Sequence, residues 1–164
     1  MNGADQMLTR ARDFAIAAHA GQMYGDKPYS DHLDHVVSIL KKYVPDDEAR
    51  PSTLAIGYLH DVLEDTEVTR EQIITEFGMG IAQVVWCLTD EPGANRKERK
   101  LKTWHKIRSH PVATLVKLAD RIANTTGDDK LDMYKKEFPV FQAALYVPGQ
   151  YENMWADLKS LTNR

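Results

Sequence analysis

The sequence predicts an all-α protein folded as a single compact domain, and three observations carry that expectation. Nearly every stretch with a hydrophobic period repeats at three and four residues, the spacing of one helix face. Valine and isoleucine are scattered rather than alternating, so no strand is expected. The 164 residues show no internal repeat, low-complexity tract or compositional break that would mark a second domain, and 43% hydrophobic content suffices for a core.

Taken in order, a first helix is expected from about Asp5 to Ala20, stopped by Gly21, with a loop of turn formers (Gly21, Gly25, Asp26, Pro28) behind it. His32 stands near the start of a second helix whose Val36, Val37, Ile39 and Leu40 precede the stop at Pro45. A third begins after Pro51 and carries Leu54, Tyr58, Leu59, Val62 and Leu63 as one apolar stripe. Thr69, with Gln72 three residues on, reads as a capping box, in which each side chain satisfies a backbone N–H at a helix start. That short helix ends at Gly78, and another covers roughly Ile81 to Leu88. After the loop Glu91-Pro92-Gly93, the basic stretch from Arg96 to Arg108 reads as helical. Pro111 suits the first turn of the next helix, where its missing N–H has no partner to lose. Val112, Leu115, Val116, Ala119, Ile122 and Ala123 form the buried face of that helix. Two more are expected, from about Asp129 to Tyr146 with an interruption at Pro139, and from Gln150 to Leu161.

Composition narrows the classes of function. A net charge of −3 provides no global attraction to nucleic acid or to an anionic membrane, so any phosphate affinity must be local. Cys87 is the only cysteine, which excludes an internal disulfide and a Cys-x-x-Cys metal site and fits a reducing compartment. No apolar run approaches the roughly 18 residues of a membrane span, and the first residues do not read as a signal peptide. A cytoplasmic protein without membrane contact is the expectation.

The chemistry concentrates around His60-Asp61, with His32 upstream and Asp120 downstream. Two imidazoles and two carboxylates from three separate segments suit one divalent metal with open coordination positions, and hence metal-assisted hydrolysis. Asp61, Glu64 and Asp65 share a helix face, and three clustered acids repel one another unless a cation offsets them. On a helical wheel Asp120 lies about 40° from Val116, inside the apolar flank, where a carboxylate is costly unless paired or metal-bound. An ion pair with Lys117 or Arg121 is the competing explanation, but both are expected to point further toward solvent. Asn124 sits one turn further along the same edge. His35, His19, His105 and His110 are read as packed or supporting histidines, and no His-Glu-x-x-His motif points to a zinc protease. Seven cations fall in the thirteen residues from Arg96 to Arg108, just before the Asp120 helix. Either they form a solvated face or some of them neutralise a polyphosphate at the metal site.

These residues together resemble the HD-domain phosphohydrolases, specifically the hydrolase domain of the RelA/SpoT type and the stand-alone small alarmone hydrolases. The resemblance runs from about Ala11 to Thr125. Its motifs come in the family's order: Ala18-His19-Ala20-Gly21-Gln22, Pro28-Tyr29-x-x-His32, His60-Asp61-x-x-Glu64-Asp65-Thr66, Phe77-Gly78, Leu88-Thr89-Asp90, Glu98-Arg99-Lys100, and Val116-Lys117-Leu118-Ala119-Asp120-Arg121-x-x-Asn124. The resemblance implies a helical bundle and a manganese ion held by His32, His60, Asp61 and Asp120, a ligand set that also suits iron, cobalt or zinc. It further implies hydrolysis of guanosine tetra- and pentaphosphate, (p)ppGpp, at the 3′-pyrophosphate to GDP or GTP and pyrophosphate. Glu64, Asp65 and Asn124 match the family's catalytic positions, with Glu64 or Asp65 accepting the proton of the attacking water. Tyr24, Arg96, Lys97, Lys100 and Arg121 are the expected substrate contacts. Two positions depart from the family: Tyr24 stands where an arginine usually packs on the purine, in a loop about one residue shorter, and Pro92 stands near a usual lysine. Both lie on the substrate side of the site.

The leading expectation is therefore a metal-dependent pyrophosphohydrolase with a small nucleotide as its partner. Hydrolysis of an adenosine alarmone, NADPH or a nucleoside monophosphate on the same scaffold is the alternative reaction. A non-catalytic alarmone-binding module is the alternative class, and nucleic-acid binding through the basic helix ranks third.

Overall fold

The computed structural model describes residues 3–164, and within them ten helices and one two-stranded hairpin follow the chain. Helix α1 is Gly3–Ala18, β1 Met23–Tyr24, β2 Lys27–Pro28, α2 Tyr29–Tyr43, α3 Arg50–Leu59 and α4 Val62–Asp65. Then come α5 Arg70–Phe77, α6 Met79–Leu88, α7 Arg96–Arg108, α8 Pro111–Thr126, α9 Leu131–Leu145 and α10 Glu152–Thr162. The all-α expectation holds, and no helix among the described residues is long and apolar enough to cross a membrane.

Helices α3 and α8 form the centre. Every residue from Thr53 to Leu59 is buried, and α8 is buried on most of its circumference. α2 packs against both, α1 covers α3, and α10 covers α8. The close approach of α2 to α3 depends on Gly57, where a Cβ would come within 2.6 Å of Leu40 Cδ1 and 3.1 Å of Val37 Cγ2. Apart from shifts of a few residues at helix ends, α5 to α8 match their sequence reading. The Thr69–Gln72 capping box is complete, Gly78 takes a φ of 88° between α5 and α6, and Pro111 opens α8.

Three local features differ from expectation. The loop after α1 contains a small antiparallel ladder, Met23 opposite Pro28 and Tyr24 opposite Lys27, turning at Gly25 with a φ of 63°. Two residues per strand carry no period for a sequence to reveal. The expected third helix is broken at His60-Asp61: α3 ends at Leu59 and α4 restarts at Val62. The cause is local, because the Gly57 carbonyl, the acceptor a continuous helix presents to the Asp61 N–H, receives the His60 ring at 2.7 Å. Pro139, conversely, does not interrupt α9. It lies on the exposed side, where solvent can satisfy the carbonyl it leaves unpaired, while Tyr134, Phe141 and Leu145 keep the opposite face packed.

Gly57→Ala should destabilise the protein by about 1–3 kcal/mol through overpacking of the α2–α3 contact. Urea unfolding followed by circular dichroism measures the loss, and an unchanged midpoint would show that Leu40 moves aside freely.

Candidate active site

Three elements deliver the central residues to one place. α2 contributes His32 from its first turn, the α3–α4 break contributes His60 and Asp61, and α8 contributes Asp120. His32 Nε2 lies 3.2 Å from Asp120 Oδ1 and 3.9 Å from Asp61 Oδ2. His60 Nε2 lies 2.9 Å from Asp61 Oδ2 and 3.6 Å from Asp120 Oδ1. Both imidazoles and Asp120 are buried. His60 Nδ1 is committed to the Gly57 carbonyl, so Nε2 faces the cluster, buried, with the Asp61 and Asp120 carboxylates close by but in no direction that makes a hydrogen bond. An orphaned nitrogen beside converging carboxylates fits a divalent cation, as does the mixed imidazole–carboxylate donor set. The resemblance to the HD family implies such a cation, and His32, His60 and Asp61 lie close enough together to hold one.

The electrostatics follow from burial. Desolvation would raise the Asp120 carboxyl, but Lys117, whose Nζ is 2.8 Å from Asp120 Oδ2, and the two imidazoles hold it well below the ordinary carboxylate range. Lys117 is thus turned inward, contrary to the expectation that it points to solvent. The broken helix still brings the acids together, with one oxygen each of Asp61, Glu64 and Asp65 within 4.8 Å of one another. Burial raises the Glu64 carboxyl, reinforced by Asp90 and Asp61. Burial and Asp61 raise Asp65 in the same sense.

A surrounding layer of side chains holds this cluster. Tyr29 donates to Asp61 Oδ2 at 2.5 Å and stacks on His19, whose Nδ1 pairs with the Ala15 carbonyl at 2.8 Å. Gln22 donates to the Asp65 carbonyl at 2.7 Å, tying the loop after α1 to α4. The backbone N–H of Asp90 donates to Glu64 Oε1 at 2.7 Å, while Lys100 Nζ holds the Asp90 carboxylate at 2.6 Å. Gln22, Tyr29 and Asp90 stand inside the sequence motifs, but nothing in the sequence marks their roles. Their signal was a polar or phenolic group at a fixed distance from a ligand in the chain, without its spatial partner.

The cluster lies at a cavity of about 710 Å³, large enough for a small-molecule ligand. Tyr24, Arg96, Lys100, Arg121 and Asn124 all line it, but not with free groups. Arg96 pairs with Glu137 at 2.6 Å. Arg121 is buried, 2.9 Å from Glu137 Oε2, its Cζ lying 4.4 Å from the Tyr134 ring centre and 4.3 Å from that of Phe141. Asn124 uses its amide nitrogen on Asp120 and its oxygen on the Tyr24 phenol. Lys97 is exposed and is not among the residues lining the cavity. Lys27 and Lys130 line it instead, from the hairpin and the α8–α9 loop, positions that no sequence motif marked. Among the supporting histidines, His19 is buried as expected, whereas His105 is exposed and His35 lies exposed at the cavity rim.

A helical core that gathers histidine and aspartate from non-adjacent helices into one metal-type centre defines the class. Within that class, this chain belongs to the HD-domain family, whose model matches residues 11–130. It is 30% identical over 128 residues to the human guanosine-3′,5′-bis(diphosphate) 3′-pyrophosphohydrolase MESH1, covering 76% of this chain and 70% of that protein. It is 33% identical over 129 residues to the GTP pyrophosphokinase rsh of Brucella ovis, matching 73% of this chain but 16% of that longer protein. A solved structure described as a metazoan orthologue of SpoT that hydrolyses ppGpp superposes with a TM-score of 0.78, at 22% identity, over 96% of this chain and 94% of the other. At that identity the superposition establishes the shared fold.

Glu137→Ala should cost about 3 kcal/mol, because it strands the buried Arg121 guanidinium. Burial alone would raise the Glu137 carboxyl, but Arg96 and Arg121 outweigh it and hold it below its ordinary value. The stability it contributes is therefore fully present above the ordinary glutamate pKa and lost as pH falls through the depressed folded value. Unfolding free energies of wild type and variant should converge in acid; a gap that widens there would refute the pairing.

Proposed function

We propose that this protein is a metal-dependent hydrolase that removes the 3′-pyrophosphate of guanosine tetra- and pentaphosphate, with Mn2+ held by His32, His60, Asp61 and Asp120. The observation that carries the proposal is the convergence of two imidazole nitrogens and two carboxylates at the wall of a cavity lined by His32, Asp61, Asp120, Glu64 and Asp65. The named activity of the human relative supports the same substrate class. A cytoplasmic setting belongs to the proposal, consistent with the single cysteine, Cys87, being a free buried thiol.

When bound, the cation supplies Lewis acidity toward a phosphoryl oxygen and toward water. Six cationic and six carboxylate side chains line the cavity, so the protein's own charges nearly cancel there, and affinity for a polyphosphate depends on the added cation. Glu64 is suited to accept the proton of the attacking water. Asp90 anchors one of its oxygens, which leaves the other available, and its raised pKa brings it nearer the operating pH, where proton transfer is most effective. Asp65 stands beside it as the second acid. Asn124 acts on Asp120, holding one carboxylate oxygen while Lys117 holds the other. Lys27 and Lys130, which form no ion pair among the described residues, are the cations free to meet phosphates at the mouth.

The test is a nucleotide panel with Mn2+, reading pyrophosphate against orthophosphate. Pyrophosphate released from ppGpp is the expected result, and orthophosphate alone would contradict it. Asp61→Asn should lose Mn2+ binding and turnover together. Glu64→Gln should keep the metal while kcat falls by about 100-fold or more, and a variant near full rate would show that Glu64 is not the proton acceptor. Chelation with EDTA should also weaken nucleotide binding itself, measured by calorimetry, because the cavity then lacks a net positive charge.

A further inference from the structure

Tyr24 is engaged with the centre in two ways. Its ring lies on the His32 imidazole, with centroids 4.6 Å apart and planes 15° from parallel. Its phenol donates to Asn124 Oδ1 at 2.5 Å, and Asn124 Nδ2 donates onward to Asp120 Oδ1 at 2.7 Å. One side chain thus touches one proposed ligand directly and a second through a single amide. Lys130 Nζ also lies over the ring, 5.5 Å from its centroid.

We infer that Tyr24 is a positioning residue of the metal centre: its ring sets the plane of His32 and its phenol, through Asn124, sets Asp120, in place of stacking on a nucleotide base. The inference rests on the metal reading proposed above. His60 has a brace of its own in the Gly57 carbonyl, whereas His32 Nδ1 makes no hydrogen bond among the described residues, so ring contacts must orient it. An imidazole free to turn about its side-chain bonds presents Nε2 to the cation only part of the time, and groups that orient a ligand raise metal affinity accordingly. The local fold suits Tyr24 to this task. It pairs with Lys27 across a two-residue turn at Gly25, which leaves the ring little slack to swing away from α2 and α8.

Calorimetric titration of the metal-free full chain with Mn2+ tests the inference through affinity, independently of turnover. Tyr24→Phe keeps the stack and loses the hydrogen bond; it should weaken Mn2+ binding about tenfold, and Tyr24→Ala should weaken it further. If the phenol acts through Asn124, adding Tyr24→Phe to Asn124→Ala should cost no more than Asn124→Ala alone. At saturating Mn2+ the Michaelis constant for nucleotide should change less in Tyr24→Phe than the Mn2+ affinity does, and thermal melts in EDTA should show all variants folded. Wild-type Mn2+ affinity in a folded Tyr24→Ala with a raised Michaelis constant would overturn the inference and mark Tyr24 as a base platform. Fully additive losses in the double variant would overturn the route through Asn124. A wild-type chain that binds no Mn2+ would instead overturn the metal reading, and this inference with it.

Discussion

The structure is organised around the cost of burying Asp120. A carboxylate in the apolar flank of the central helix α8 must be compensated, and several neighbours do so: Lys117 on one oxygen, the Asn124 amide on the other, and His32 and His60 within 3.6 Å. The imidazoles belong to α2 and to the end of α3, so the requirement of one charged group couples the three helices that form the core. It also explains a centre poised for a cation, since two carboxylates and an unpartnered imidazole nitrogen remain close together in a desolvated place.

The supporting layer is as ordered as the centre. His19 braces Tyr29 and Tyr29 braces Asp61; Gln22 holds α4 by its backbone; Lys100 fixes Asp90, whose N–H fixes Glu64. Arg96 and Arg121 converge on Glu137, locking α7, α8 and α9 behind the cavity. These contacts limit the freedom of the groups that would meet substrate, which is how a helical scaffold holds reactive side chains to a productive geometry. They also show why several cations that line the cavity are not free to bind phosphate: their charges are already matched.

How much was legible in the sequence differed by feature. The helices were, because burial of one face imposes a period of 3.6 on each segment independently of its neighbours. So was the inward orientation of Asp120, read from its place beside Val116. The break at His60-Asp61 was not, because a ring hydrogen-bonding its own backbone leaves the apolar stripe of Val62 and Leu63 intact. A helical wheel directs Lys117 to solvent because it records angle alone, whereas a flexible lysine stem can fold its amine back onto a buried acid. Lys97 and Arg121 illustrate the same limit from opposite sides: one basic run contains an exposed lysine with no part in the cavity, and an arginine beside the apolar face is buried and committed to Glu137.

By itself the sequence determined the helical class, the order of the elements and the residue types able to hold a cation, because composition, period and chemical identity are local properties of the chain. Only the tertiary structure decided which groups meet. Tyr24 and Asn124 are 100 residues apart, and Asp34 receives Arg12 from α1 and Tyr58 from α3. Such pairings depend on how helices cross, and the crossing follows from packing volumes, such as the missing side chain at Gly57, that act between segments.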